Sequence, residues 1–316
     1  MGVPDPVLEP ASADASFRRY FRTSTGGRSY IVMDAPPPQE DCRPFVRIAA
    51  LFRDAGVHAP QVLAQDLQRG FLLLDDLGRQ TYLDVFNAGD ADADALFDDA
   101  LTALVRWQQA SHPGLLPPYD RALLHRELML YPDWYVTRHL RLELTSMEQM
   151  TLMDAFRLLE DSALAQPQVY VHRDYMPRNL MLSTPNPGVL DFQDAVYGPL
   201  TYDVVSLFKD AFLSWPEERV QGWRRRYREK ALAAGLPVPE QAEFERACDW
   251  MGMQRHLKVV GIFARIRYRD GKPHYLKDIP RFLGYLRQTG SLYKEFTPLL
   301  RLLDHLEKKA EEVVEL

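Results

Sequence analysis

Between Val171 and Asp194 the chain reads V-H-R-D-Y-M-P-R-N-L-M-L and, after a short break, G-V-L-D-F-Q-D. Asp174 stands four residues before Arg178, five before Asn179 and seventeen before Asp191. These residue types suit one kind of chemistry. Asp174 can accept the proton of an attacking hydroxyl, while Asn179 and Asp191 offer hard oxygens to Mg²⁺ bridging the phosphates of ATP. Leu180 to Leu182 and Gly188 to Asp191 read as short strands joined by S-T-P-N-P-G, whose prolines and glycine reverse the chain. Such a hairpin returns Asp191 to Asn179. H-x-D alone occurs by chance, and an isolated Asp174 would read as a cap or turn residue. The whole run at this spacing points to phosphoryl transfer from Mg-ATP.

The first 75 or so residues read as strands plus one helix. Phe17 to Thr23 and Ser29 to Asp34 are β-rich and separated by S-T-G-G-R, which predicts a hairpin. Phe45, Ile48, Ala49 and Phe52 fall on one face of a helix that stops at Gly56. Gln61 to Ala64 and Phe71 to Leu74 read as two further strands, and Asp75 to Gly78 as a hinge whose backbone can pair with adenine. Beyond it Phe97, Ala100, Leu101 and Leu104 mark a helix ending before His112-Pro113, and amphipathic helices continue to the C-terminus. The expected fold class is α+β, a protein-kinase-like two-lobed fold. Residues 1–78 would form a small β-rich N-lobe and residues 79–316 a large helical C-lobe.

Composition removes several classes of function. A net charge of −6 argues against a nucleic-acid partner, because phosphate neutralisation needs a basic surface. The strongest basic run, W-R-R-R-Y-R-E-K from Trp223 to Lys230, reads as an exposed helix rather than a membrane or nucleic-acid contact. No stretch approaches the length of an apolar membrane span, and the N-terminus lacks a basic and apolar signal. Cys42 and Cys248 are too few for a disulfide scaffold and read as reduced thiols. The expectation is a cytoplasmic monomer that uses ATP and Mg²⁺.

Further motifs carry a resemblance. They are A-D-A-S-F-R-R-Y-F-R (13–22), M-D-A-P-P (33–37), L-D-D-L-G (74–78), D-F-Q-D-A-V-Y-G-P (191–199) and Q-R-H-L-K-V-V-G-I-F-A-R (254–265). With them the chain resembles the aminoglycoside phosphotransferase-like branch of the kinase superfamily over nearly its whole length. Within that branch it is similar to the anomeric kinases of bacterial cell-wall recycling, which act on N-acetylmuramate and N-acetylglucosamine. The resemblance implies an amino-sugar substrate, Asp174 as base and Asn179 with Asp191 as metal ligands. It places Ser16, Phe17, Arg18 and Arg19 at the phosphates, and Asp75, Asp76 and Leu77 at the adenine. His172, Asp194 and Asp203 support the loop. Arg178, Gln254, Arg255, Arg265 and Trp134 are candidate substrate contacts, a lactyl carboxylate wanting one fixed cation and a pyranose an aromatic face. Other small-molecule kinases of the same fold, and a catalytically silent nucleotide-binding regulator, are the alternatives.

Two departures from the kinase pattern stand out. No G-x-G-x-x-G is present, and Met33 stands where the phosphate-binding Lys of the third strand belongs. Arg47 takes the place of the partner Glu on the following helix. Losing both halves together is consistent, since a lone buried Glu costs several kcal/mol. The missing positive charge is then expected from Arg18, Arg19 or Arg22.

Overall fold

Gly26 and Gly27 take φ of 58° and 75°, left-handed values that a two-residue hairpin turn needs and that glycine adopts freely. In this computed structural model, which describes residues 7–13, 17–89 and 92–314, the turn sits inside a five-stranded antiparallel sheet. Its strands are β1 (Glu9–Ala13), β2 (Arg19–Thr25), β3 (Arg28–Asp34), β4 (Val62–Asp66) and β5 (Phe71–Asp75), ordered β1-β2-β3-β5-β4. Tyr20 lies opposite Met33, and Met33 opposite Leu72. The strand β1 was not among the strands expected from the sequence. E-P-A-S-A carries no β-branched or aromatic residue, so its sequence hides a strand that exists through edge pairing with β2.

Helix α1 (Arg43–Asp54) runs between β3 and β4 and buries Phe45, Ile48, Ala49 and Phe52, as the spacing predicts. It is followed by Gly56 at φ 69°. Then come α2 (Tyr82–Ala88), α3 (Ala93–Gln109), α4 (Arg121–Leu128), a π-helical segment Tyr131–His139 and α5 (Ser146–Ala165). Four short strands follow: β6 (Gln168–Val171), β7 (Leu180–Met181), β8 (Gly188–Val189) and β9 (Val196–Pro199). The chain continues through α6 (Tyr202–Phe208), α7 (Glu217–Ala233), α8 (Gln241–Asp270), α9 (Ile279–Gly290) and α10 (Thr297–Val314).

By contact density these elements form two units. One comprises Met1–Pro113, His172–Val196 and Gln221–Leu236; the other comprises Gly114–Val171, Tyr197–Val220 and Pro237–Leu316. In the first unit, aromatic rings tie α1 to the D-F-Q-D segment. Phe45 and Phe52 lie 4.7 Å and 5.1 Å from Phe192, and Phe52 stacks on Trp107 at 3.9 Å. The basic run on α7 is not the exposed helix expected. Trp223, Arg224 and Tyr227 are buried, with the Trp223 indole donating to Asp94 at 2.6 Å and Tyr227 to Gln108 at 2.5 Å. Interleaved apolar positions dock this helix on α3, and Lys230 adds a contact to Asp98 at 3.0 Å while Arg225 stays exposed.

The second unit is built around α8, which begins thirteen residues before Gln254. Every residue from Trp250 to Gly261 is buried, so the helix is enclosed on all sides and shows no amphipathic stripe. Gly261 permits this. A Cβ there would lie 2.3 Å from the Leu130 carbonyl carbon and 2.6 Å from the Tyr131 amide nitrogen, both backbone atoms. Gly261→Ala should therefore lower unfolding stability by about 1–3 kcal/mol through overpacking. Gly284→Ala on α9, where nothing lies within 4 Å, should gain about 0.5–1 kcal/mol of helix propensity. Chemical denaturation of the two variants checks the contrast.

Candidate active site

The strands β7 and β8 pair with Leu180 opposite Val189 and Met181 opposite Gly188, so the expected hairpin forms. It brings Asn179 and Asp191 together, the Asn179 Nδ2 lying 3.5 Å from an Asp191 oxygen. The same Nδ2 donates to the Asp174 carbonyl at 2.9 Å, and Gln193 donates to the other Asp191 oxygen at 2.8 Å. His172 is buried, and its Nε2–H donates to the Leu190 carbonyl at 2.9 Å. Its Nδ1 therefore accepts, taking the Asp174 amide at 3.2 Å. Burial pushes His172 down to about 4, so the ring stays neutral and holds that tautomer at neutral pH. Arg173 and Asp191 adopt φ of 77° and 63°. Left-handed non-glycine residues bracketing a loop are the strain that surrounding structure must over-determine.

Arginines from the sheet divide sharply in role. Arg19 is exposed and paired with Asp34. Arg22 is spent on the hinge: its Nε and Nη2 reach Asp76 at 2.6 and 3.0 Å, and Nη2 also reaches the Gly78 carbonyl at 2.7 Å. Ser29 and the Gly78 amide complete the Asp76 shell. The Asp76 carboxylate thus braces the hinge, while Asp75 accepts the Gln61 amide at 2.6 Å. Arg18 is bonded to Glu40 at 2.9 Å, with both side chains roughly seven-eighths buried. Phe17 exposes its ring and donates its amide to the same carboxylate at 3.2 Å. Ser16 lies outside the described residues. Met33 is wholly buried and Arg47 exposed, so neither takes a catalytic position.

A cavity of about 320 Å³ is lined by Tyr20, Leu74, Asp76, Leu77, Asn179 and Asp191, among others, and Arg178 is at its wall. Hinge and metal candidates therefore face one space, as a nucleotide reaching from adenine to phosphate requires. Among the described residues no cluster of three or more His, Cys, Asp or Glu would hold a metal alone. Mg²⁺ takes one or two protein oxygens and completes its shell with phosphate and water. Asn179 donates through Nδ2, leaving Oδ1 as its hard donor beside the Asp191 carboxylate.

Asp194 is exposed, and its carbonyl accepts from Arg173 at 3.3 Å. Asp203 is buried in the first turn of α6. Trp134 is half-buried against the core of the second unit. Gln254 and Arg255 are enclosed, Gln254 reaching Glu127 at 3.5 Å and Arg255 donating to Ser206 at 2.6 Å. Arg265 is half-buried, and burial together with Arg269 lowers its pKa. The sequence reading missed Glu40 and Glu127.

The profile of the phosphotransferase enzyme family matches residues 7–244. The chain belongs to that family. It is 60% identical over 310 residues to the N-acetylmuramate/N-acetylglucosamine kinase of Pseudomonas aeruginosa, covering 98% of this chain and 91% of the relative. It is 50% identical over 300 residues to the protein of that name from Neisseria meningitidis, covering 94% and 89%. Among solved structures, an ADP-bound aminoglycoside phosphotransferase superposes with a TM-score of 0.58 at 17% identity, covering 90% of this chain and 94% of the other. The kinase therefore has the protein-kinase-like α+β fold its motifs imply. No described helix is long and apolar enough to cross a membrane.

Proposed function

We propose that this kinase transfers the γ-phosphoryl of Mg-ATP to the anomeric hydroxyl of N-acetylmuramate and N-acetylglucosamine, giving the sugar 1-phosphate. The observation that carries the reading is the loop in which neutral His172 and Asn179 fix the Asp174 backbone beside Asp191. Names of relatives at 50% and 60% identity supply the substrate class. Residues 1–78 act as the nucleotide-covering lobe and residues 79–316 as the sugar-binding lobe. Asp174 orients the hydroxyl and takes its proton; an anomeric hydroxyl is more acidic than an ordinary alcohol, so modest basicity suffices. Mg²⁺, held by Asn179 and Asp191, neutralises phosphate charge when bound. Hinge backbone from Asp75 to Leu77 pairs with adenine, and Arg178 sits on the phosphate side. Asp203 and Asp194 support the loop. Arg265 is the cation for the lactyl carboxylate and Trp134 a stacking face, while Gln254 and Arg255 order the helix that carries Arg265. We place the enzyme in the cytoplasm, where ATP is available, as a monomer.

The test is direct. With Mg-ATP, both amino sugars should yield a product whose ³¹P signal couples to the anomeric proton, and their reduced alditols should yield none. Phosphate on another hydroxyl, or transfer to an aminoglycoside or choline in preference to the sugars, would overturn the reading.

A further inference from the structure

The hairpin that joins Asn179 to Asp191 is short, with Leu180 paired to Val189 and Met181 to Gly188. A two-stranded ribbon of that length does not hold its shape alone in water. We infer that His58 and Asn186 are positioning residues for the metal, which grip the turn of this hairpin and through it fix Asn179 beside Asp191. The inference rests on the proposed use of Mg-ATP and assigns roles to two residues outside the catalytic motifs.

The turn is held by side chains from three separate stretches of the first unit. His58, in the loop between α1 and β4, places Nδ1 at 2.7 Å from the Pro185 carbonyl and 3.2 Å from the Ser183 hydroxyl. A carbonyl can only accept, so Nδ1 carries the proton and donates. One residue on, the Asn186 Nδ2 donates to the Asp99 carboxylate at 2.6 Å and to the Tyr82 hydroxyl at 2.8 Å. Tyr82 is the buried first residue of α2, and Asp99 belongs to α3. The Asn186 Oδ1 accepts the Ser183 amide at 3.4 Å, so the turn is closed on itself as well as tied outward.

Backbone contacts limit what these clamps do. The Val189 amide donates to the His58 carbonyl at 2.7 Å and the Leu182 amide to the Gln80 carbonyl at 2.9 Å, which ties the outer edges of the ribbon. Those bonds survive a change of side chain and keep the hairpin formed, but they do not reach the tip of the turn. Just past the ribbon, Asp191 holds φ at 63°, a value that a non-glycine residue keeps only where its surroundings over-determine it. Asn179 and Asp191 line the cavity shared with the hinge, whereas His58 and Asn186 are not among its lining residues. Their influence on that space therefore passes through the hairpin.

The test compares nucleotide binding with and without the metal, by calorimetry on the full chain. His58→Ala and Asn186→Ala should each weaken Mg-ATP about two- to tenfold and leave ATP in excess chelator unchanged. His58→Asn should stay within about twofold of the unaltered chain, because its amide nitrogen can stand where Nδ1 stands. Asn186→Asp keeps the shape but sets a second carboxylate against Asp99, so it should lose at least as much as Asn186→Ala. The double alanine variant should lose at least the product of the two single losses, since each clamp supports the other. Unchanged Mg-ATP affinity in both alanine variants, or equal losses with and without metal, would overturn the inference. Should either alanine variant not fold, Asp99→Ala decides: it lies at an exposed position and removes the 2.6 Å bond without altering the turn. An unchanged ratio of Mg-ATP to metal-free affinity there sinks the proposal. A wild-type chain that bound no Mg-ATP would remove the proposed function too, whereas wild-type binding with insensitive variants removes this inference alone.

Discussion

Turnover by the Asp174→Asn variant is expected to fall about a hundredfold or more, with Mg-ATP affinity changed by no more than a factor of about two. Asparagine keeps the shape and the backbone contact to His172 Nδ1 at 3.2 Å but cannot take the hydroxyl proton. A hundredfold loss is about 2.7 kcal/mol of transition-state stabilisation, an ordinary value for one positioned base. The affinity should hold because the Asn179 Nδ2 bonds the Asp174 carbonyl rather than its carboxylate, so the metal ligands keep their places. Single-turnover kinetics with calorimetry on the same preparation check both halves. Near-normal turnover would remove Asp174 from the mechanism.

The largest stability effect is expected at Lys258. Its ammonium lies 2.9 Å from Glu127 and 2.8 Å from the Tyr202 hydroxyl, with both charged side chains almost fully buried. Tyr119 also donates to Glu127, and Gln254 approaches it. Lys258→Met removes a buried cation 2.9 Å from that carboxylate in the interior of the second unit. Such a break costs about 3–5 kcal/mol. Replacing both partners, Glu127→Leu with Lys258→Met, should recover much of that loss, because desolvating two ions cancels most of their attraction. Urea midpoints for the three variants decide it. A double variant no more stable than the single would show that the pair contributes more than charge compensation.

How much was legible in the chain depends on how far apart the interacting residues lie. The meeting of Asn179 with Asp191 was readable because a strand-turn-strand of fixed length carries one to the other, and local pairing enforces that geometry. The helix bearing Phe45, Ile48, Ala49 and Phe52 was readable because its apolar period is local, and so was the Gly26-Gly27 turn. The strand β1 was not, since its pairing with β2 owes nothing to its own propensity. Nor was the docking of α7 on α3, which turns on Trp223 meeting Asp94 across 129 positions.

The same distinction governs the site. The sequence by itself determined the chemistry on offer: a base, two hard-oxygen ligands and an absent lysine, all set by residue type at short spacing. Tertiary structure alone decided where the neighbouring charges go. Three arginines at 18, 19 and 22 look alike on paper; only folding sends Arg22 to Asp76, Arg19 to Asp34 and Arg18 to Glu40. Folding likewise encloses Gln254 and Arg255 on a helical stretch, Trp250 to Gly261, that is buried throughout. The reason is physical. An ion pair between residues far apart in sequence exists only where the packed chain brings two charges within reach and shields them from water, and no local pattern records that meeting.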